Sequence, residues 1–283
     1  MSAAITIGVL LPVASAQAST NCCKLSESQA PVQNAFRVFD SPELVVNNIS
    51  GPIHVIGDGN GEIRLTATET VRGNRNEDIA RAKREVHLNV KQDGDRILAC
   101  VNGPFRHGSN SGNEACQHRN IGDEDNQYSV RFDFELHVPA ATKITLSTIN
   151  EGDIKVERVS GGFDLHNVNG GVELDAVTGA GDAKTVNGDV KATFAANPSA
   201  DCSFSTVNGS VHMYFRPDLS AQLRYKTLSG DVYSDFPVAP VSETRNGVIA
   251  FRRGRFSNGQ VGSGGPEIQF NTLNGNIFVH RAS

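Results

Sequence analysis

Apolar and polar residues alternate in short runs along most of this chain, and turns rich in glycine, asparagine and aspartate separate the runs. In residues 128–138 nearly every second residue is apolar, and this run ends at Pro139. A period of two is typical of β-strands with one buried face. A helical pattern is found at residues 76–85, where Asn76 or Asp78 can serve as the N-terminal cap. The sequence therefore predicts an all-β protein with one short helix.

Antiparallel strands and hairpins are predicted in the first half of the chain. The turn sequence Asp58-Gly59-Asn60-Gly61 joins two alternating runs, and Asp93-Gly94-Asp95 joins another two. Asp-Gly and Asn-Gly pairs between apolar runs are strong hairpin signals. Residues 102–127 consist largely of glycine, asparagine, serine and aspartate, which predicts a surface loop.

One phrase then returns at intervals: Thr or Asn, an aliphatic residue, Asn or Ser, Gly, any residue, and Val or Ile. Copies begin at Asn167, Thr185, Thr206, Thr227 and Thr272. The glycines of this corner and the asparagines before them are Gly152, Gly170, Gly188, Gly209, Gly230 and Gly275, and Asn169, Asn187, Asn208 and Asn274. A recurring phrase of this kind indicates units that stack on their neighbours.

Two folds are compatible with this repeat. Asn-Gly turns between apolar runs also suit an antiparallel meander or sandwich. Alternate turns differ in chemistry, however, because Gly161 and Gly179 follow Ser or Thr, whereas the corners between them are rich in asparagine. Two kinds of corner recurring every 18 to 21 residues favour a two-sided β-solenoid, in which equivalent Thr and Asn side chains form ladders. We expect N-terminal antiparallel strands and hairpins that lead into this solenoid.

Four segments are expected along the chain. Residues 1–18 contain an apolar stretch followed by small residues in the pattern of a signal-peptide cleavage site, although no positive charge precedes it. A short buried strand or a membrane anchor is the alternative, but the stretch is too short and too interrupted by Pro12 to span a bilayer. A flexible leader (19–35), an N-terminal β region (36–138) and the solenoid (139–283) follow. We expect an exported protein of the periplasm or cell surface that does not span the membrane.

The five cysteines suit an oxidising compartment. A disulfide between Cys100 and Cys116 would close a loop of about 15 residues and contribute about 3 kcal/mol in the chain-entropy model. Free thiols are one alternative. A metal site with His107 and His118 is another, but the close cysteine pair of zinc modules is missing.

The opening alternating strands, the strand ending at Val138-Pro139 and the Thr-x-Asn-Gly-Asp-Val phrase resemble a large bacterial family of β-strand-repeat proteins. This family carries the name of adhesins and is a domain of unknown function. The resemblance covers roughly residues 36–281. It implies an exported β-repeat protein of the cell envelope, and it supplies no catalytic residues.

No motif in the sequence names a reaction, and we expect no cofactor and no catalysis. Asp153, Asp189 and Asp231, with Lys155 and Lys191, are the candidates for a calcium site or a glycosidase-like face. Solvated turns and a solubilising outer sheet face are the simpler interpretation of these aspartates and lysines. The histidines are scattered and are likewise expected at the surface, among them His54, His166, His212 and His280.

Binding surfaces are the remaining candidates. The aromatic residues that could serve as sugar platforms if exposed are Tyr214, Phe215, Tyr225, Tyr233 and Phe278, although strand aromatics are more often part of the core. The basic residues that could contact anionic lipid or glycan are Arg252, Arg253 and Arg255, for which a hydrated loop tip is the simpler interpretation. An excess of acidic over basic residues, 31 against 26, argues against nucleic acid. The leading hypothesis is a non-catalytic surface for glycan, matrix or an envelope protein. A scaffold that self-associates end to end and a carbohydrate-active enzyme are the alternatives.

Overall fold

The computed structural model describes residues 25–28, 31–58, 61–104, 127–240 and 257–282. In these residues two sheets of 11 strands each form the fold. In spatial order, the first sheet contains β1 (Leu25–Ser28), β5 (Glu62–Gly73), β8 (Tyr128–Val138), β4 (Ile53–Gly57), β10 (Ile154–Glu157), β12 (Val172–Val177), β14 (Val190–Phe194), β16 (Val211–Phe215), β22 (Ile277–Arg281) and β18 (Val232–Ser234), and β2 (Val32–Arg37) also pairs with β5.

The second sheet faces the first across the core. Its strands, in spatial order, are β19 (Ala239–Pro240), β20 (Ser257–Val261), β17 (Ala221–Ser229), β21 (Glu267–Asn274), β15 (Cys202–Asn208), β13 (Gly181–Lys184), β11 (Phe163–His166), β9 (Lys143–Ser147), β3 (Glu43–Asn47), β7 (Arg96–Asn102) and β6 (His87–Asp93).

The chain winds between the two sheets as a β-solenoid, which confirms the predicted fold class. The described residues form seven coils, each one strand of the second sheet followed by one strand of the first, which stack in the order β3–β4, β9–β10, β11–β12, β13–β14, β15–β16, β21–β22 and β17–β18. Successive coils pair in parallel and in register: Val172 lies beside Val190, Val190 beside Val211 and Val211 beside Ile277. Each of these four side chains is at most 1% exposed, because strands of period two direct the same alternate residues into the core.

Coil order departs from chain order at one place. The coil β21–β22, which follows all other described coils in the sequence, lies between β15–β16 and β17–β18 in the stack. Among the described strands, the coil β17–β18 therefore forms the end of the stack. Beyond it, β20 pairs antiparallel with β17 in the second sheet, whereas β18 is the outermost described strand of the first sheet.

Phenylalanine fills the middle of the core between the two sheets. Phe204 is completely buried, and its ring centroid lies 6.1 to 6.3 Å from those of Phe163, Phe194 and Phe270. Phe215 stacks on Phe194 at 5.1 Å. Phe215 is therefore a core residue, the interpretation that the sequence favours over a surface platform, because its side chain points to the same face of β16 as the buried Val211 and Met213.

The N-terminal strands are antiparallel only in part. The predicted hairpin at Asp93-Gly94-Asp95 is confirmed by the antiparallel pair β6–β7. The predicted hairpin across residues 58–61 is wrong, because β8 lies between β4 and β5. The long alternating strand β8 pairs in parallel with β4 on one side and antiparallel with β5 on the other.

The expected segment boundaries differ from the elements that form. Strands β1 and β2 pair with β5 inside and next to residues 19–35, for which a flexible leader was expected. Coils also begin well before residue 139, because β3 and β4 pair in parallel with β9 and β10. Strands β1 and β2 form because the backbone groups on the edge of β5 that faces away from β8 need hydrogen-bond partners. The coils begin early because residues 48–53 contain an early copy of the repeat phrase.

The helix α1 spans Asn76–Glu85, as the sequence predicts. Its cap differs from the prediction: Arg75 occupies the N-cap position, and the backbone N–H of Arg75 donates to the Asp78 carboxylate at 3.0 Å. The Asp78 side chain thus supplies the reciprocal half of a capping box. Within the described residues no helix is long and apolar enough to cross a membrane.

The cysteines are placed only in part. Cys100 lies buried in β7, and its expected partner Cys116 lies outside the described residues, as do residues 1–18 with the expected signal peptide. The pairing of Cys100 with Cys116 stays a prediction. Cys202 is a buried free thiol, and burial raises its pKa to about 11, so this thiol is unreactive at neutral pH.

Candidate binding surface

Each Asn-rich corner is bonded to the next by the first side chain of the repeat phrase. The hydroxyl or amide of this residue donates to the carbonyl of the corner glycine in the preceding coil at 2.7 to 3.0 Å. The six donors are Thr148, Asn167, Thr185, Thr206, Thr272 and Thr227. These bonds explain why the phrase begins with Thr or Asn, because a buried carbonyl needs a donor.

The third residue of the phrase forms a ladder along the outside of the same corner. The side-chain amide of each asparagine donates to the amide oxygen of the asparagine one coil earlier, and every bond measures 2.9 Å. The ladder runs through Asn150, Asn169, Asn187, Asn208 and Asn274. The predicted Thr and Asn ladders are therefore confirmed, and these asparagines are structural.

The aspartates of the corner are used by the backbone. Asp153 accepts the N–H of Gly171 and Asp189 accepts the N–H of Ser210, each at 2.7 Å. Asn276 holds the same position and accepts the N–H of Asp231 at 2.9 Å. In the described residues, no group of three or more His, Cys, Asp or Glu side chains is arranged to hold a metal ion. These acids therefore connect coils.

The second residue of the phrase forms an exposed aliphatic row beside the asparagine ladder. Its members are 36 to 50% exposed and are Ile149, Val168, Val186, Val207, Leu273 and Leu228. Neighbouring strands lie about 4.8 Å apart, so these side chains follow one another at a regular interval. The sequence contains this row as the variable aliphatic position of the phrase, but only the in-register stack shows that it is a continuous surface.

Charged residues cover the middle of the outer face of the first sheet. Lys191 pairs with Glu173 at 2.9 Å, and Lys155 pairs with Glu157 at 2.8 Å. Glu157 also contacts His54 at 3.1 Å. Hydrogen bonds from Lys155 and His54 lower the pKa of Glu157 to about 2 against the opposing effect of burial. A carboxylate held ionised in this way is unsuited to donate a proton near neutral pH.

Replacement of Glu157 by glutamine should reduce the free energy of unfolding by about 1 kcal/mol at pH 7. Because the folded pKa lies below the ordinary value of 4.5, the ionised group stabilises the fold above that pH, and the contribution disappears as the pH falls toward 2. Urea unfolding of wild type and variant at pH 7 and near pH 2 measures the difference. Glu151→Gln, at an exposed corner, is the control, and an equal loss at both pH values would contradict the assignment.

Five aromatic rings gather on the same outer face, toward the end of the stack, and we call them the aromatic patch. They belong to His212 and Tyr214 of β16, Phe278 and His280 of β22, and Tyr233 of β18. Phe278 stacks between His212 and Tyr233, with ring centroids 4.6 and 5.1 Å away and planes within 11°. Tyr214 stacks on His280 at 5.0 Å. Sequence reasoning named the three Tyr and Phe residues but treated the two histidines as scattered.

The patch ends in an accessible ring beside an ionised carboxylate. Stacking covers the faces of the inner rings, whereas Tyr233 is the last ring of its row and is 50% exposed. Asp235 accepts a hydrogen bond from His280 Nδ1 at 3.2 Å, and this bond lowers the pKa of Asp235. Burial lowers the pKa of His212, which keeps that imidazole neutral at pH 7. An apolar ring face next to polar acceptors suits a ligand with both CH and OH groups.

The other candidates do not join this patch. Tyr225 is half-buried against the core, and burial raises the pKa of its hydroxyl. Arg252, Arg253 and Arg255 lie outside the described residues. A shallow cavity of about 380 Å³ lies between the loops after β14 and β16, lined by Ala195, Ala196, Asn197, Arg216, Pro217 and Asp218. Its amide and carboxylate groups bond to each other, with Asn197 Nδ2 donating to Asp218 at 3.0 Å.

Comparison with known proteins gives a family match and several similar folds. The Toastrack DUF4097 family model matches residues 109–277. A "putative cell adhesion protein" from Clostridium sporogenes is 13% identical, with 89% of this chain and 100% of that chain covered and a TM-score of 0.46. A "putative adhesin" from Bacteroides fragilis is 11% identical, with 90% of this chain and 98% of that chain covered and a TM-score of 0.36. A "putative lipid binding protein" from Parabacteroides distasonis is 11% identical, with 89% of this chain and 97% of that chain covered and a TM-score of 0.31. No curated protein sequence matches the chain.

Proposed function

The chain belongs to the Toastrack DUF4097 family, and on that premise we propose that it is a non-catalytic binding protein of the cell envelope that holds glycan on its aromatic patch. The observation that carries the proposal is the convergence of five stacked rings on one outer face, ending at the half-exposed ring of Tyr233. The CH face of a pyranose ring packs on such a ring, and its hydroxyls bond to carboxylates such as that of Asp235.

The engagement of the acids supports a binding role rather than catalysis. Glycoside hydrolysis needs two facing carboxyl groups, one of which is protonated at working pH. Here the corner residues Asp153 and Asp189 accept backbone N–H groups, and Glu157 and Glu173 pair with lysines. A carbohydrate-active enzyme therefore remains the weaker alternative.

Export to the periplasm or cell surface is part of the proposal. It is supported by the signal-like stretch in residues 1–18 and by the repeat fold, whose regular outer faces offer a long, rigid surface. The partner at that location is a glycan in our proposal, and a matrix or envelope protein is the alternative.

Tyr233→Ala should weaken glycan binding about fivefold, because aromatic contacts contribute on the order of 1 kcal/mol. A glycan array identifies the ligand class, and titration calorimetry on the best glycan measures the affinity of wild type and variant. Phe39→Ala is the matched control, because Phe39 is also an exposed ring, 79% accessible, but lies in the N-terminal part of the chain.

Three results would contradict the proposal. They are the absence of any glycan ligand on the array, equal loss of affinity in both variants, and new reducing ends after incubation with the bound glycan. The last result would identify an enzyme rather than a binding protein.

A further inference from the structure

The asparagine ladder contains a chemically labile dipeptide in most of its coils. Four of its asparagines are followed directly by glycine, namely Asn169, Asn187, Asn208 and Asn274. Asn-Gly is the dipeptide most prone to succinimide formation, because glycine has no side chain to keep its backbone nitrogen away from the asparagine Cγ. The corner requires both residues, since the ladder needs the amide and a Cβ atom on the glycine would collide with the neighbouring coil. The fold therefore places labile bonds at its own stacking contacts.

The inner rungs of the ladder hold both reacting groups in place. Asn187 Nδ2 donates to Asn169 Oδ1, and Asn187 Oδ1 accepts from Asn208 Nδ2, each at 2.9 Å. The N–H of Gly188 donates to the Asn208 carbonyl at 3.0 Å. A side-chain amide that is bonded on both sides cannot turn its Cγ toward the glycine nitrogen without breaking both bonds. We therefore expect the inner rungs to be protected.

Asn274 is held on one side only. Its Nδ2 donates to Asn208 Oδ1 at 2.9 Å, but the next coil has Ser229 at the equivalent position. No group among the described residues donates to Asn274 Oδ1. The N–H of Gly275 donates to the Ser229 carbonyl at 2.9 Å, as the glycines of the inner corners do. Asn274 is exposed to water, and its side chain has one bond fewer to break than the inner rungs.

We propose that Asn274-Gly275 is a self-modification site that converts Asn274 into aspartate or isoaspartate. The Gly275 nitrogen attacks Asn274 Cγ and forms the new C–N bond of a succinimide, the Cγ–Nδ2 bond breaks, and the proton of the attacking nitrogen leaves with Nδ2 as ammonia. Water then adds to one imide carbonyl and the C–N bond at that carbonyl breaks, with the nitrogen taking up a proton.

The carbonyl that reacts with water decides the product. Cleavage at the side-chain carbonyl gives aspartate, and cleavage at the main-chain carbonyl gives isoaspartate. Water is the only co-reactant, so the reaction requires neither an oxidant nor a second protein. This site is separate from glycan binding and does not depend on it.

Either product weakens the contacts of the coil β21–β22. Aspartate at residue 274 has no N–H to donate to Asn208 Oδ1, and its negative charge lies beside that oxygen. Isoaspartate lengthens the main chain, which displaces Gly275 from its two bonds to the next coil. These are the bond from the Gly275 N–H to the Ser229 carbonyl and the bond that the Gly275 carbonyl accepts from Thr227 Oγ1 at 3.0 Å. The modification thus loosens the stack irreversibly.

The reaction is tested on the full chain without glycan, in mildly alkaline buffer, both folded and unfolded in urea. Peptide mass spectrometry locates each deamidated residue over time. In the folded protein Asn274 should react about fivefold faster than Asn187 and Asn208, which is the effect of one hydrogen bond. In urea the three residues should react at similar rates, and all of them faster than in the fold.

Ser229→Asn adds the missing rung and tests the cause of this difference. Its side-chain amide can donate to Asn274 Oδ1, so deamidation of Asn274 should slow about fivefold. Ser229→Ala is the matched control, because it adds no donor and should leave the rate unchanged. Circular dichroism checks that both variants are folded, and the order of rates in the wild-type protein tests the proposal without any variant.

The direction of the ladder bonds supplies a control for the structural consequence. Asn150 accepts from Asn169 Nδ2 and makes no other side-chain bond within the described residues. Asn150→Asp keeps this acceptor and should leave the melting temperature unchanged. Asn274→Asp removes a donor and should lower the melting temperature by about 3 °C.

Three results would overturn the inference. They are equal deamidation rates at Asn274 and the inner rungs of the folded protein, an unchanged rate at Asn274 in folded Ser229→Asn, and equal melting temperatures of Asn274→Asp and Asn150→Asp. An Asn274 that stays intact in the fold while the chain in urea reacts would also overturn it.

Discussion

Gly188→Ala is expected to destabilise the protein by about 3 kcal/mol or more, since overpacking and a strained backbone both contribute. A Cβ atom at this position would lie 2.3 Å from the Gly170 carbonyl oxygen and 2.5 Å from its carbon. Neither atom can move without breaking the corner of the neighbouring coil. The φ angle of Gly188, 157°, adds to the cost, because residues other than glycine rarely adopt it. Urea unfolding followed by circular dichroism measures the loss.

Gly162→Ala, at the corner between β10 and β11, is the matched control. A Cβ atom there would lie 3.6 Å from its nearest backbone neighbour, which is ordinary contact. We expect this variant to stay within about 0.5 kcal/mol of wild type. Equal stability of the two variants would show that the corners are looser than the close coil contacts indicate.

Phe204→Ala should cost about 3 to 5 kcal/mol, because it leaves a cavity among three other phenylalanine rings. Phe163, Phe194 and Phe270 surround this ring from three other coils, so the cavity weakens the packing of several coils at once. Differential scanning calorimetry should show a lower melting temperature with a single transition.

Two further variants test the cause of this effect. Phe204→Leu should cost less, roughly 1.5 kcal/mol, because more of the volume is kept. Phe39→Ala, at an exposed ring, should change the melting temperature little. A small effect of Phe204→Ala would mean that the phenylalanine cluster can close around the cavity.

The coiled half of the molecule could be predicted because each repeat contains the groups that bond it to its neighbours. Thr185, Asn187, Gly188 and Asp189 each bond to a residue of the same corner in an adjacent coil. Local sequence therefore indicates both the turn and its stacking partner. An antiparallel meander would not align these donors and acceptors.

Other parts of the fold depend on pairing between distant segments and have no local signal. The partners of β4 and β5 are an example, because β8 lies about 70 residues further along the chain and displaces the expected hairpin. The helix cap was missed because the Asp78 side chain bonds back to the Arg75 backbone instead of capping from the N-cap position.

The aromatic patch could be predicted only by residue type. Tyr214, Tyr233 and Phe278 were candidates from the sequence, but their geometry depends on coil order. If the coils followed the chain, Phe278 would be the last ring of the row. The inserted coil places Phe278 between His212 and Tyr233, so tyrosine becomes the exposed end.

The position of β21–β22 also constrains how the molecule assembles. A polypeptide leaves the ribosome from its amino end, so β17 and β18 are made before the strands on which they rest. The growing chain can add coils one by one only as far as β16. Strands β21 and β22 must then insert between β15–β16 and β17–β18, which are made earlier, so these coils come together only after β22 has been made.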